Sequence, residues 1–388
     1  MIKRGTTDIS SYKRGSVDLT KIYRGSTLLW EPSAGGFPDW TENVNNYTLW
    51  ADAVANFGLS FDPSTTTDIS LGGYGSYAYY NLIEAPNDKI YFIPYWATTI
   101  LVYDLTTDTT STIGTFPSGG WKFISAQLAD NGCIYIIPAD RYECWKIDTS
   151  NDTLTSISLP TRTASGTAFY GSVRANNGNI YAMPNREDWI LKIDPTTDTA
   201  TKITTTLPIT ENLFSGSAMG ANGKIYGIPQ NSTQIIEFDT DTETYRLFGS
   251  YTGSRKWDGG ALASNGKIYC GTLDSTTILV IDTNTTEATS YTIGSIASGY
   301  NSFILAPDNK MYSFHKNNLQ PIQIDTDTDS VSLVGTGSTL GTEGGRYSIL
   351  TSKGTIWRSL FNVSSITTWG VETALDKNYI LSRYGNRN

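Results

Sequence analysis

Residues 222–226 read Asn-Gly-Lys-Ile-Tyr, and this motif decides the fold because the chain returns to it at a nearly constant interval. Asn-Gly between two apolar runs is the strongest short-range signal for a β-hairpin, since a type I′ turn needs positive φ at both central residues. The motif or a close variant occurs seven times, and its aromatic residue is Tyr91, Tyr135, Tyr181, Tyr226, Tyr269, Tyr312 or Trp357. Intervals of 43 to 46 residues predict a repeat protein.

A second element follows each of the first six aromatic residues after about ten positions. It usually reads as an apolar residue followed by Asp, at Asp104, Asp148, Asp194, Asp239, Asp282 and Asp325. A polar Thr/Asp turn and one more strand-like segment complete the unit, which therefore contains four short strands. Four strands in a period of 40–50 residues are typical of a β-propeller blade. We therefore predict an all-β fold, a seven-bladed β-propeller of four-stranded antiparallel blades.

The number of hairpins predicts how the propeller closes. Seven first hairpins are present but only six second hairpins lie between them, and the seventh stands at the front, around Asp62. An amino-terminal hairpin should thus complete the blade begun by residues 348–360, which leaves no long exposed edge strand. The predicted propeller spans residues 57–361, and a carboxy-terminal extension of residues 362–388 packs on the closing blade. The alternative is an eight-bladed count with that extension as a partial blade.

Composition excludes several classes of protein. The 388 residues are 12% aromatic and 17% charged, which is unlike a disordered chain. No apolar run reaches about 18 residues, so we expect no membrane insertion. The net charge of −9 argues against nucleic acid as a partner. Three cysteines cannot form a disulfide framework, and the start lacks a secretory signal, so we expect a chain made in a cytoplasm.

The first 30 residues differ from the rest of the chain. They hold six basic and two acidic residues, and Arg-Gly recurs every ten residues at Arg4, Arg14 and Arg24, before Trp30. Three strands of about five residues joined at Arg-Gly turns fit this pattern. Because so short a segment cannot bury a core alone, it needs a partner surface, either the propeller itself or another protein. We interpret residues 1–32 as a docking arm and residues 33–56 as a linker.

The Arg-Gly-Ser/Thr repeats that end in Tyr23-Arg24-Gly25-Ser26-Thr27-Leu28-Leu29-Trp30 resemble the amino-terminal segment of structural proteins of tailed bacteriophages. The propeller part resembles Kelch-like propellers, although it lacks the paired glycines of Kelch strands. This resemblance implies a virion component of the tail, fibre or collar. The arm would contact other virion proteins, and the propeller would serve assembly or attachment to a host receptor. A free-standing carbohydrate-binding propeller and a polysaccharide-cleaving enzyme are the alternatives.

Catalytic signals are scarce. The one histidine, His315, occupies the slot that Pro94, Pro138 and Pro184 hold in other repeats, which favours a strand-end residue over a general base. No sialidase-type Asp box is present, and most aspartates obey the repeat. Asp-rich turns such as the one after Asp239 resemble calcium loops but lack their central Gly, so we interpret them as side-chain-capped turns. We therefore expect no enzyme, no catalytic residue, no metal and no cofactor.

The connections between strands predict where binding occurs. Turns within the two hairpins of each unit should lie on one face, and the remaining connections on the other. The second set carries the large residues, and aromatic and Arg side chains are enriched at binding hot spots. The candidate residues are Trp96, Trp121, Arg141, Tyr142, Arg186, Arg255, Trp257, Tyr300, Arg346 and Tyr347. The alternative for each ring is burial between blades. A cell-surface glycan or receptor is the expected ligand.

Overall fold

The computed structural model describes residues 77–285, 287–306, 308–316, 320–334, 347–351 and 356–358, and the backbone of six further strands given below. This part of the chain consists of strands, turns and connecting loops. It contains no helix, and so no helix that could cross a membrane.

Six four-stranded antiparallel sheets follow one another, each with its strands in chain order. Sheet 1 comprises Tyr79–Ala85, Lys89–Pro94, Ile100–Asp104 and Thr109–Ile113. Sheet 2 comprises Phe123–Leu128, Cys133–Pro138, Glu143–Asp148 and Thr153–Ser158. Sheet 3 comprises Phe169–Arg174, Ile180–Pro184, Trp189–Asp194 and Thr199–Thr204. Sheet 4 comprises Phe214–Met219, Ile225–Pro229, Ile235–Asp239 and Thr244–Phe248. Sheet 5 comprises Trp257–Leu262, Lys267–Thr272, Ile278–Asp282 and Thr289–Ile293. Sheet 6 comprises Tyr300–Leu305, Lys310–His315, Ile322–Asp325 and Ser330–Leu333. The predicted four-stranded units are confirmed in these six cases.

Four further strands pair in an order that joins the two ends of the repeat region. The order is Ser348–Leu350, Ile356–Arg358, Ser365–Val371 and Phe61–Ser70. The predicted amino-terminal hairpin is therefore wrong, because residues 61–70 form one continuous strand of ten residues. The third strand, Ser365–Val371, comes from the carboxy-terminal extension of residues 362–388. Trp369 pairs with Thr66 and Gly370 pairs with Asp62, so residues 63–65 of the ten-residue strand have no partner in this pairing.

The amino-terminal segment forms a separate four-stranded sheet of Ile2–Arg4, Thr7–Ile9, Ile22–Arg24 and Thr27–Trp30. Arg4 pairs with Thr7 and Arg24 with Thr27, so Arg-Gly marks the ends of hairpin strands as predicted. The described residues give four strands where three were predicted. Arg14 lies outside the described residues.

Neighbouring sheets pack face to face and share their apolar cores. One core joins Ile93 and Val102 of sheet 1 to Ile134 and Ile136 of sheet 2, all of them buried. The first strand of each sheet contacts the first strand of the next, and Ser348–Leu350 contacts the first strands of both sheet 6 and sheet 1. The successive first strands therefore lie side by side.

Three glycines allow the closest of these approaches. A Cβ on Gly171 would lie 2.5 Å from the Cα of Gly216, and a Cβ on Gly216 would lie 2.6 Å from the Cα of Gly259. Both distances are far below van der Waals contact. The first strands of sheets 3, 4 and 5 can therefore approach this closely only without side chains.

The hairpin turns form where the Asn-Gly motif predicts them, but they are not type I′ turns. Only the glycine has positive φ, as at Gly132 with φ 74°. The Gly132 amide donates to the Ala129 carbonyl at 2.9 Å, and the side chain of Asn131 accepts from the Cys133 amide at 3.0 Å. A type I turn that ends in a left-handed glycine fits these bonds and leaves the asparagine backbone unstrained.

The repeated Asn and Tyr connect each sheet to the next, and we call this arrangement the inter-sheet link. Asn131 of sheet 2 donates to the Tyr135 hydroxyl at 3.0 Å and to the Pro195 carbonyl of sheet 3 at 3.0 Å. The hydroxyl donates in turn to Asp198 at 2.6 Å. Asn87 with Tyr91 and Asn265 with Tyr269 make equivalent bonds. Asn222 of sheet 4 also reaches the next sheet, through the Thr285 carbonyl, so the motif connects neighbouring sheets at four of the described junctions.

These links place the first and third turns of the units on the same face, as predicted, because an asparagine in one turn reaches the other turn of the next sheet. The third turns are capped by aspartate side chains, also as predicted. Asp325 accepts from the Asp327 and Thr328 amides at 3.1 Å each, and Asp239 makes the same pair of bonds. Nowhere in the described ranges do three or more His, Cys, Asp or Glu residues group as metal ligands would.

Candidate functional site

Three exposed aromatic side chains lie on neighbouring loops of the face opposite the inter-sheet links. Trp96 follows the second strand of sheet 1, Trp121 precedes the first strand of sheet 2, and Tyr142 precedes its third strand. Their exposed fractions are 45%, 51% and 69%. Large aromatic rings are seldom this exposed without a function. We call these three residues the aromatic platform.

Each ring of the platform rests on a fixed neighbour. Trp121 stacks on the buried Tyr95, with ring centroids 6.3 Å apart and planes 12° apart. Trp96 leans on Tyr77 at 5.9 Å. The ring of Tyr142 lies 5.2 Å from the guanidinium of Arg162. The rings are therefore held in position while remaining open to solvent.

Arg162 is held by a buried carboxylate. Its Nε donates to Glu187 at 2.9 Å, and both side chains are almost completely buried. The Thr163 amide and the Trp189 indole also donate to Glu187, at 2.8 and 2.9 Å. Burial alone would raise the pKa of Glu187, but the hydrogen bonds from Thr163 and Arg162 outweigh it and hold the pKa below its usual value. The ion pair therefore stays charged, and the support beneath Tyr142 is rigid.

Lys122 ties together the loops that carry the two tryptophans. This fully buried lysine donates from Nζ to the Trp96 carbonyl at 3.0 Å, and its amide donates to the Tyr95 carbonyl at 3.1 Å. Burial, and secondarily the positive charge of Arg141, lowers the pKa of Lys122 to about 8. Lys256 holds the matching position before sheet 5, where its Nζ donates to three backbone carbonyls.

Arg141 lies beside the platform, and among the described residues its side chain makes one hydrogen bond. Its Nη2 donates to the Gly119 carbonyl at 3.3 Å, and no carboxylate of the described residues forms an ion pair with it. Gly119 and Gly120 have φ of 72° and 74°, so the loop before Trp121 needs glycine at both positions. The conformation that presents Trp121 therefore also places a carbonyl against Arg141.

Arg186 and Arg255 lie on the same face, but each has a carboxylate partner. Arg186 pairs with Glu211 at 2.7 Å, and Arg255 pairs with Asp274 at 3.0 Å. Asp274 also borders a shallow polar groove of about 490 Å³, which is lined by residues 250–254, 256–257, 274–277 and 292. Each of these two arginines therefore has a carboxylate partner, which no described residue supplies to Arg141.

Two predicted face residues are wrong because their rings are buried. Trp257 is 3% exposed, and its indole donates to the Thr277 carbonyl at 2.7 Å. Tyr300 is 2% exposed, and its hydroxyl donates to the Gln320 carbonyl at 2.7 Å. Both rings start a first strand and point into the core between sheets.

The other predicted residues have mixed positions. Tyr347 is half-buried, and its ring lies 5.6 Å from that of Tyr80. Arg346 falls outside the described residues. For the predicted docking residues of the arm, the structure gives only their backbone positions in strands. These residues are Arg4, Arg24 and Trp30.

His315 ends the second strand of sheet 6, which confirms the predicted strand-end role. Its Nε2 lies 2.7 Å from the Ser298 carbonyl, and its ring stacks edge-on against Tyr300 at 4.9 Å. Burial lowers the pKa of His315. The ring is therefore held in the structure in its neutral form at neutral pH.

A polar trio on the first strands of sheets 4, 5 and 6 escaped the sequence analysis. Ser215 donates to Asp258 at 2.5 Å, and Asn301 donates to Asp258 at 3.1 Å, with all three side chains buried. The residue after the first aromatic of each sheet is polar in these three sheets and apolar or aromatic in sheets 1 to 3. This change from apolar to polar residues along the repeat is the sequence signal that could have revealed the polar trio.

Comparison with known proteins shows which fold this chain shares with solved structures. No protein-family model matches the chain, and no curated protein matches it. Among solved structures, a streptogramin B lyase is similar with a TM-score of 0.65 at 16% identity, over 79% of this chain and 98% of that one. Virginiamycin B lyase from Staphylococcus aureus gives 0.62 at 13% identity, over 78% and 98%. An extracellular domain from B. thetaiotaomicron gives 0.60 at 12% identity, over 80% and 43%. These similarities show a β-propeller-like fold.

The comparison overturns the prediction that the chain is not an enzyme. Two of these similar structures are lyases by name, so a β-propeller-like fold gives no ground for excluding an enzyme. The sequence argument failed because it required catalytic groups to appear as breaks in the repeat. Loops on a rigid scaffold vary independently of the strands that carry the repeat.

Proposed function

We propose that the chain is a closed seven-bladed β-propeller displayed on a bacteriophage particle, with residues 1–32 as its anchor. The loop face of the propeller then binds a host receptor or a neighbouring virion component. The observation that carries the binding role is the aromatic platform, three exposed rings held on fixed supports.

Several contacts support ring closure with seven blades. Trp357, the seventh repeated aromatic, packs in one buried core with Phe92 and Leu101 of sheet 1, and its ring lies 5.0 Å from that of Tyr103. The strand Phe61–Ser70 pairs with Ser365–Val371. The seventh blade would then contain strands from both ends of the repeat region, which leaves no open edge at the junction.

The anchoring role is supported by the Arg-Gly repeats and by the separate sheet that they form. Residues 1–30 carry a formal charge of +4 in a chain of net charge −9, which suits attachment to an acidic neighbouring protein. The sheet strands are only three or four residues long. So small a sheet needs a partner surface to become stable.

The experiment is deletion of residues 1–32 in the phage genome, followed by purification of particles and quantification of the chain. We expect the truncated propeller to fold but to be missing from particles. Circular dichroism and thermal melting of the purified truncated chain provide the control for folding. Incorporation at the full-length copy number would refute the anchoring role.

The free-standing carbohydrate-binding propeller remains the second candidate, since the platform suits it equally well. The same particle preparation separates the two candidates. If the full-length chain is absent from purified particles and free in the lysate, the virion role is rejected and the free-standing one is favoured.

A further inference from the structure

We propose that the aromatic platform together with Arg141 is a binding site for an acidic polysaccharide. The inference rests on the proposed binding role of the loop face and names the class of its ligand. Rings and cation lie on consecutive loops, at residues 95–99, 114–122 and 139–142, which hydrogen bonds between their backbones hold together.

The rings fit sugars better than they fit an apolar protein surface. Each ring is backed on one side, by Tyr95, Tyr77 or Arg162, so it offers a fixed flat surface to the C–H face of a pyranose. The same loops expose the hydroxyl residues Thr98 and Ser118. A ligand must therefore alternate flat apolar faces with hydrogen-bonding groups, as a sugar chain does. Fixed rings also reduce the entropy lost on binding.

The charges at this site favour an acid. Arg141 forms no ion pair with a described carboxylate, and the charge of Lys122 lies behind it without an acidic partner in the same part of the chain. The nearby carboxylate of Glu187 is paired with Arg162. Asp140 lies within ion-pair distance of Arg162 as well, and Glu143 is exposed beside Tyr142, so the feature that favours an acid is the guanidinium of Arg141, which pairs with no described carboxylate in a chain of net charge −9. A guanidinium with free donors binds a carboxylate in a bidentate manner.

The test measures binding of the full chain to three acidic polysaccharides, namely polygalacturonate, hyaluronan and polysialic acid, by isothermal titration calorimetry. Each is compared with its carboxyl-esterified form. We expect at least one to bind, with an affinity roughly tenfold higher than that of its ester and lower at high salt. If none binds, or if acid and ester bind equally well, the proposal is overturned.

Two variants locate the site. Trp121→Ala should weaken binding of both the acid and the ester roughly tenfold, and Arg141→Gln should weaken binding of the acid alone by a similar factor. Leu333→Ala is the control, because Leu333 is 61% exposed on the last strand of sheet 6, and it should leave affinity unchanged. Unchanged binding in both Trp121→Ala and Arg141→Gln would overturn the assignment.

Failure of this inference is distinguishable from failure of the proposed function. Neither Trp121 nor Arg141 belongs to the anchor, so both variants should enter particles at the full-length copy number. Normal incorporation without polysaccharide binding would reject the acidic ligand and leave the virion role intact.

Discussion

At the residue scale, the hydroxyl of Tyr135 accepts a hydrogen bond from Asn131 and donates one to Asp198 of the next sheet. Burial, and then the bond to Asp198, raises the pKa of this tyrosine, so the hydroxyl remains a donor at any physiological pH. Lys146 pairs with the same aspartate. The hydroxyl of Tyr135 thus connects two sheets, because it accepts one hydrogen bond and donates another.

Replacing this hydroxyl should destabilise the fold. Tyr135→Phe removes the acceptor of one Asn131 hydrogen bond and the donor of a charge-assisted bond to Asp198, so we expect a loss of about 1–2 kcal/mol. Guanidinium denaturation followed by fluorescence measures it. Tyr142→Phe is the control, since Tyr142 is 69% exposed and its hydroxyl bonds to none of the described residues. A loss no larger than that of the control would show that the link contributes nothing.

Acid should weaken the same links. Burial alone would raise the pKa of Asp329, but hydrogen bonds from Lys267, Tyr269 and Tyr291 outweigh it and lower the pKa. Because the folded pKa lies below the unfolded value of about 3.9, the contribution is present above that value and is lost as pH falls through the folded pKa. Thermal melting at pH 2.5 and pH 6 should show Asp329→Asn clearly destabilised at pH 6 and closer to the parent at pH 2.5. An equal difference at both pH values would contradict the link.

At the scale of elements, the hairpins, the strand-end His315 and the capped turns follow from local sequence, because each depends on residues within a few positions. Whether an aromatic side chain is exposed does not follow from local sequence. Trp257 and Trp121 both lie at or just before a first strand, but Trp257 occupies the slot of Phe123, Phe169 and Phe214, which is buried in every sheet. Alignment of the repeats would have separated the two tryptophans. Lys122 was missed because a buried lysine has no signal of its own in a sequence.

The sheet that pairs Phe61–Ser70 with Ser365–Val371 shows why long-range pairing was harder to predict. Two apolar stretches flanking Pro63 looked like a hairpin, whereas the structure has one strand, Phe61–Ser70. The missing third strand is supplied from Ser365–Val371, about 300 positions away along the chain. Nothing in the local sequence of either strand specifies the other as its partner.

Cross-linking tests this pairing directly. Asp68 pairs with Thr367, so Asp68→Cys combined with Thr367→Cys should form a disulfide under mild oxidation and close a loop of about 300 residues. The shift in a non-reducing gel measures it. Asp68→Cys with Val371→Cys is the control, because Val371 pairs with Phe61, and it should stay reduced. The native thiols of Cys133, Cys144 and Cys270 are buried and should not interfere. Equal cross-linking in both variants would contradict the register.

At the scale of the whole molecule, the proposed ring behaves differently from a linear stack of sheets. In a linear stack each unit contacts only its neighbours. Removal of one unit therefore lowers the free energy of unfolding by the contribution of that unit and of one interface. If one of seven units is removed from a ring, the remaining six must close the ring. The angle between each pair of neighbouring sheets then changes. The close approaches of Gly171, Gly216 and Gly259 leave little room for such a change.

Deletion of residues 178–222 tests the ring, because it joins Asn177 to Gly223, restores the turn motif and removes one repeat. We expect an insoluble chain, or a melting temperature lower by more than roughly 10 °C. Size-exclusion chromatography and calorimetry measure both outcomes. A soluble monomer that melts within a few degrees of the parent would favour a linear stack.

The inter-sheet link also affects how the protein ages. Asparagine before glycine is among the thermolabile positions of proteins, since its side chain is prone to lose ammonia and become an acid. At Asn131 and Asn265 that side chain donates to a tyrosine hydroxyl and to a carbonyl of the next sheet. Conversion to a carboxylate would replace a donor by a negative charge beside Asp198 or Asp329. Chemical damage at these glycine-flanked positions would therefore set the storage lifetime of the assembled molecule.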